Sequence, residues 1–561
     1  MDLSVRYHRR SAISRDSSGL AIALAPNLRR DRVGFRGQLV EPIAFREAIG
    51  ALHDIVINDQ RYKPRDKSAY EAYQESQRQR ELQIRRQVYQ SKLAELRSDH
   101  ADPMPEGLED DYRQMRKQYW RARSKYSRRL LVRDRELWRY LMPCDPVVTV
   151  AEDALLFECF SADESSYGCL SVDRDAFRAQ SDVTLGTTNV DYTWQLYEHF
   201  QTLRSYRETR FEIDPDGFGV TTESAGGHHE EKIDLPNGWL RGFMRLQSAM
   251  SMPMRRIKFS REAIYNVLAF LKRNRAKHSP RALRIECSDG KSAQVVLEPW
   301  EKSIPLPPQD DESLQNLSIR LWGRDRLHVL SRLLPLMDSA ELCVLGTGLP
   351  SFWVIRMGAM RLTLGLSGWT TNGWTHSSAL SQLTAPVKLS DAMLVSIGTA
   401  FNSSPAHTFD SLRQKVSLRP VEIAAGLNRL ALLGQVIHDL STNQYRWRQV
   451  MPAPLSMDEI GDDDPETAAA MSLIRSKRIR INRDQSTHEG LRIVDASLDG
   501  KEVSLVIDSD GMIRRGSCKC SHHYKNALRL GPCRHLQVIR NYLIDDQSSQ
   551  SADQWYQRFW N

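Results

Sequence analysis

Four residues near the C-terminal end constrain this chain more than anything else in it: Cys518-x-Cys520, twelve intervening residues, then Cys533-x-His535. Three thiols and one imidazole make a four-ligand set of the kind that tetrahedral Zn²⁺ takes, and a Cys₃His set leaves no open coordination position. Side chains alternate along an extended segment, so a Cys-x-Cys pair aims both sulfurs to one side. Gly531-Pro532 is a turn signal that opens a helix with proline at its first position. The apolar run Leu536, Val538, Ile539, Tyr542 and Leu543 continues that helix. Upstream, Leu491 to Ser497 and Glu502 to Ile507 read as strands around a Leu498-Asp499-Gly500 turn, and Met512 to Ser517 as a third. His522 and His523 read as loop residues beside the site.

The motif and its surroundings resemble the SWIM zinc finger, whose signature is Cys-x-Cys, a variable spacer, then Cys-x-His. All four ligand positions match. The resemblance implies a short β-meander feeding the first pair and a helix carrying the second, with Cys518, Cys520, Cys533 and His535 holding one structural Zn²⁺. More of the chain is similar to the bacterial SWIM-type proteins: Phe45-Arg-Glu-Ala-Ile-Gly-Ala-Leu-His-Asp-Ile, Arg61-Tyr-Lys-Pro-Arg-Asp, Glu164-Ser-Ser-Tyr-Gly, Leu240-Arg-Gly-Phe-Met and Leu349-Pro-Ser-Phe-Trp. Such proteins are encoded beside MoxR-type AAA+ ATPases and von Willebrand A-domain (VWA) proteins, so the resemblance implies a partner in an ATPase-driven assembly.

Five of the eight cysteines lie far from the motif in sequence, and the clustering of the other three around one His argues against the disulfide framework of a small secreted domain. No charged and apolar leader opens the chain, and no run of eighteen apolar residues crosses a membrane. The expectation is a cytoplasmic protein with reduced thiols and no membrane partner. Net charge is +8, and it is uneven. Residues 61–139 hold 21 Lys and Arg against 13 Asp and Glu, and residues 475–540 hold 14 against 7. The cluster Arg475, Lys477, Arg478, Arg480 and Arg483 is a candidate nucleic-acid contact, through phosphate neutralisation.

At 561 residues the chain is long enough for several domains. The reading is multidomain α+β, in seven parts. Residues 1–60 form an N-terminal α/β segment with an amphipathic helix from Phe45 to Ile57. Residues 61–143 form a long helical hairpin, its helices over 68–98 and 108–141 separated by Asp102-Pro103-Met104-Pro105-Glu106-Gly107. Residues 144–255 and 256–385 are two α+β regions, the second with a helix from Arg324 to Met337. Residues 386–455 are winged-helix-like: three helices and a β-hairpin, with Pro420 and Gly434 bounding the third helix and Asn428 and Arg429 facing outward. That third helix carries one arginine and no lysine, which is poor equipment for reading DNA. Residues 456–485 are an acidic linker, and 486–561 a ββα SWIM zinc finger with a C-terminal tail ending in Trp555, Tyr556, Phe559 and Trp560.

No phosphate-binding loop, nucleophile elbow or paired-histidine metal helix is visible. Asp163-Glu164-Ser165-Ser166 is explained by turn chemistry, and Trp369-Thr370-Thr371-Asn372-Gly373-Trp374 reads equally as a binding loop or a capped hairpin. The functional expectation is a non-enzymatic zinc-binding adaptor that uses its finger on nucleic acid or protein. The alternative is a nucleic-acid-processing enzyme with a site in 150–380.

Overall fold

Alternating and fully apolar runs between residues 147 and 366 pair into one antiparallel sheet of eight strands. In the computed structural model their order across the sheet is Arg255–Phe259, Ser339–Val344, Ser351–Met357, Met360–Leu366, Ser166–Asp173, Ala154–Phe160, Val147–Val150 and Gly186–Asn189. The structure describes, with short breaks, residues 12–57, 146–213, 237–366, 389–450 and 466–543, and single positions between 111 and 126. Two compact units divide the chain: Gln60–Met142, and Met1–Asp59 together with Pro143–Asn561. In the first, the described positions are helical. All that follows concerns the second.

The central strands Ala154–Phe160 and Met360–Leu366 are buried along their whole length, so the sheet must be covered on both faces. Helix Pro42–Ile57 covers one face. It lies against Gly168, where a Cβ would stand 2.6 Å from Leu52 Cδ1. Helix Asn237–Met250 covers the other, packing Phe243, Met244 and Leu246 against Leu156, Tyr167, Cys169 and Phe352. Alternation along Ala154–Phe160 sends Phe157 to the first face, where its ring meets that of Phe45 at 6.1 Å, and Leu156 and Phe160 to the second. The first helix is therefore not an amphipathic surface helix: eleven of its sixteen residues are buried.

Two expected boundaries fall inside this architecture. Strand Gly34–Leu39 pairs with Thr209–Ile213 and Phe177–Thr184, so the N-terminal segment supplies three strands, Ala12–Asp16, Gly19–Leu24 and Gly34–Leu39, of a five-stranded sheet completed by residues near 180 and 210. Met360–Leu366 pairs with Ser166–Asp173, which places strands of 144–255 and of 256–385 in a single sheet. The segment expected as a helix from Arg324 to Met337 is helical, in the 3₁₀ form and in two pieces, Arg324–Arg332 and Leu334–Leu336. Pro335 interrupts its backbone donors. The guanidinium of Arg324 donates to Ala282 O at 3.1 Å and that of Arg326 to Ser165 O at 3.0 Å, fixing the segment by buried side chains.

Residues 391–447 contain helices Asp391–Ala400, Phe409–Lys415 and Pro420–Leu432 and a three-stranded sheet closed by Val436–Asp439 and Gln444–Trp447. Local chemistry sets these ends. Thr408 Oγ1 accepts from Ser411 N at 3.2 Å, Pro420 stands in the first turn, and Gly434 ends the third helix at φ +76°. The expectation that Asn428 faces outward is corrected. Asn428 is buried, and its amide donates to Ser248 O at 2.6 Å and Ser251 Oγ at 3.1 Å. Nine of the thirteen residues of this helix are buried, because it packs against Asn237–Met250 as well as its own core. Arg429 is half-buried.

Polar side chains fasten the same hairpin to the large sheet. Arg448 and Glu158, both fully buried, form an ion pair, and Tyr167 Oη and Gln247 Nε2 donate to the same carboxylate at 2.7 and 3.0 Å. Arg446 makes a two-pronged pair with Asp153 at 2.5 and 2.8 Å.

Candidate metal centre

The C-terminal module is built on four antiparallel strands, Ile479–Ser486, Arg492–Leu498, Lys501–Ile507 and Ile513–Cys518, in that order across the sheet. Val494, Ala496, Leu498, Val503, Leu505 and Ile507 are buried on one face. A helix over 534–543 lies on that face, burying Leu536, Val538, Ile539 and Leu543. Gly516 permits the close approach: a Cβ there would stand 2.8 Å from Leu536 Cδ1.

This packing carries the ligands together. Cys518 ends the fourth strand, paired with Val503, and points into the core at 6% exposure. Cys520 follows two residues beyond the strand end. Cys533 O accepts the first helical bond from Gln537 N at 3.1 Å, so Cys533 caps the helix and His535 lies in its first turn. Pro532 consequently stands one residue before the cap rather than at the first helical position. Gln537 Nε2 donates to Pro532 O at 2.8 Å and holds that entry.

The ligand atoms of Cys518, Cys520, Cys533 and His535 all lie within 4.8 Å of one another, the one such cluster among the described residues. Cys518 Sγ is 3.6 Å from His535 Nδ1. Two ligands at about 2.3 and 2.0 Å from a tetrahedral zinc are separated by about 3.5 Å, so the donor set fits that ion. Burial pushes the Cys518 and Cys533 thiols up from their ordinary range. A bound dication reverses that preference by favouring the thiolates. Backbone donors support the sulfurs: His523 N–H points at Cys520 Sγ at 3.4 Å, and the Leu536 N–H at Cys533 lowers its pKa against the burial.

His522 and His523, expected in a loop, are in a short helix, Ser521–Asn526, begun by the bond from Tyr524 N to Cys520 O at 2.9 Å. The four-ligand set is complete without either. Of the five basic residues expected to contact nucleic acid, Arg475, Lys477 and Arg478 lie outside the described residues. Arg480 is exposed on the first strand. Arg483 is exposed too, with its guanidinium donating to Gln485 Oε1 at 2.7 Å and 3.9 Å from the Asp495 carboxylate.

One supporting residue was read as linker. Glu466 accepts from the backbone N–H of Arg534 at 2.8 Å and pairs with its guanidinium at 2.6 Å. Ala470, four residues on, is fully buried in the module core. The module therefore begins within the segment assigned to 456–485. The signal was present as Pro465-Glu466-Thr-Ala-Ala-Ala-Met, a helix-start pattern obscured by the acidic run before it. The segments Asp163-Glu164 and Trp369–Trp374 and the aromatic tail lie outside the described residues.

No protein-family model matches this chain, and no curated protein matches it. Among solved structures it is similar to Proliferating Cellular Nuclear Antigen from Entamoeba histolytica, at 11% identity over 40% of this chain and 89% of that one, with a TM-score of 0.27. A likeness at that score carries no argument about fold or function. The chain is a mixed α+β protein with a Cys₃His cluster compatible with a metal such as zinc. Among the described residues, no helix is long and apolar enough to cross a membrane.

Proposed function

We propose that this chain is a zinc-binding adaptor of the SWIM type, whose C-terminal finger makes nucleic-acid or protein contacts and which works with a MoxR-type AAA+ ATPase and a VWA-domain protein. The observation that carries the metal reading is the convergence of Cys518, Cys520, Cys533 and His535 on one point, with ligand atoms within 4.8 Å. Zinc bound there is structural. Four protein ligands fill a tetrahedral shell, so no position is left for an activated water. The ion ties the strand end to the helix start, and its binding energy is folding energy for this module.

We read residues 391–447 as a winged-helix-like module turned to packing. Its third helix, the one that would enter a groove, spends Asn428 on Ser248 and Ser251. A non-enzymatic role is supported by how the buried acids of the central region are used. Glu158 is paired with Arg448, and Glu298 with Arg284 and Arg320. The test is affinity purification of the full chain and of Cys520→Ser from cells that express it natively. The reading expects the ATPase and the VWA-domain protein with the parent chain and their loss with the variant. Recovery of neither with a zinc-loaded parent chain contradicts the adaptor assignment.

A further inference from the structure

Tyr524 is 88% exposed, the most exposed large hydrophobic side chain among the described residues. It stands between Lys519 and Lys525, both exposed. The segment is short but not free. Its backbone is tied to a metal ligand twice, through Tyr524 N to Cys520 O at 2.9 Å and His523 N to Cys520 Sγ at 3.4 Å. The surrounding sequence is one-sided in charge: residues 511–544 contain seven Lys and Arg and no Asp or Glu. An aromatic ring held out into water costs solvation free energy, and two flanking ammonium groups suit a ligand that offers an apolar face beside negative charge.

We infer that this knuckle is a stacking platform for single-stranded nucleic acid: the Tyr524 ring takes an unpaired base, and Lys519 and Lys525 take the adjoining phosphates. A duplex hides its base faces; an unstacked strand presents a flat aromatic face beside phosphate charge at every nucleotide, whereas an acidic protein surface does so only where an aromatic side chain stands beside its carboxylates. The inference deepens the adaptor reading and rests on it, because the bound metal would hold the Cys520 end of the knuckle in place.

The experiment is fluorescence anisotropy of a labelled mixed-sequence single-stranded DNA oligonucleotide with the full chain, zinc content being measured on the same samples. Tyr524→Ala should weaken binding about tenfold, as loss of one stacked base does, while Tyr524→Trp keeps it. Replacing Lys519 and Lys525 together by Gln should lower the slope of log affinity against log salt by about 1.4, roughly 0.7 for each phosphate contact. Parent affinity in a zinc-loaded Tyr524→Ala variant overturns the inference, as does parent affinity in Tyr524→Leu, which keeps an apolar group without a flat ring. Equal affinity for duplex of the same length also overturns it. Displacement of the oligonucleotide by polyglutamate of equal charge and at equal concentration overturns it in favour of an acidic protein surface. A parent chain that carries no zinc is a different result, and counts against the metal centre itself.

Discussion

Glu466 caps the helix that carries two members of the Cys₃His cluster: its carboxylate accepts the backbone N–H of Arg534, the residue between Cys533 and His535, at 2.8 Å. The Arg534 side chain returns to the same carboxylate at 2.6 Å. A negative charge at a helix N-terminus satisfies an otherwise open donor and opposes the positive end of the helix dipole. Glu466→Ala should destabilise the C-terminal module by about 1–2 kcal/mol, with Glu466→Gln losing less because it keeps an acceptor. Zinc release to a chelator under partial denaturant reads the effect: faster in Ala than in Gln, and slowest in the parent.

Gly516 tests the packing behind the ligands. Its missing Cβ leaves room for Leu536, which would otherwise be met at 2.8 Å. Gly516→Ala should push the 534–543 helix off the sheet and cost about 1–3 kcal/mol, the usual range for overpacking. The expected observation is enhanced proteolysis confined to the C-terminal module, with zinc lost at lower chelator concentration than in the parent.

The Cys₃His cluster was legible because its chemistry is local: two pairs, each spanning three residues, need only a strand end and a helix start to converge. Glu466 was not, because its partner Arg534 is 68 residues away and the acidic run before it looks like linker. The single sheet joining residues 147–189 to 255–366 was hidden for a related reason. A strand such as Met360–Leu366 shows its apolar pattern but not that Ser166–Asp173 is its neighbour. The third helix of the 391–447 module looked surface-facing because Asn428 is polar; burial became possible only because Ser248 O and Ser251 Oγ accept its protons.

Glu158 and Arg448 should behave as an inseparable pair. Both side chains are fully buried, so Glu158→Ala leaves an uncompensated guanidinium and should cost about 3–5 kcal/mol. The double replacement Glu158→Leu with Arg448→Met should recover part of that loss, since an apolar pair avoids burying charge but leaves the Tyr167 and Gln247 donors without their carboxylate acceptor. Thermal denaturation of the single and double variants measures the difference. Additive losses would contradict the pairing.

His438 sets a pH limit on how the 391–447 module holds to the large sheet. Burial holds its imidazole down, from 6.5 to about 4, opposed by the acceptor Met250 O at 2.7 Å and assisted by the nearby Arg256 charge; Asp439 acts the other way. The unfolded chain therefore binds a proton that the folded one refuses between these values. Stability should be steady above pH 6.5 and fall as the pH drops from 6.5 to about 4, by roughly 3 kcal/mol for this group. His438→Gln should flatten that part of the stability curve, measured as the midpoint of urea unfolding at pH 7, 6, 5 and 4.5.

The central claim is a closed zinc site made by Cys518, Cys520, Cys533 and His535, and X-ray absorption at the zinc edge of the full-length chain, purified under reducing conditions, tests it most directly. The account predicts one zinc per chain with three sulfur neighbours at about 2.3 Å and one nitrogen at about 2.0 Å, and no oxygen neighbour. Cys520→Ser should remove or replace one sulfur and strip most of the metal. A metal-free parent chain, or an exchangeable oxygen ligand on the zinc of the folded protein, would contradict it.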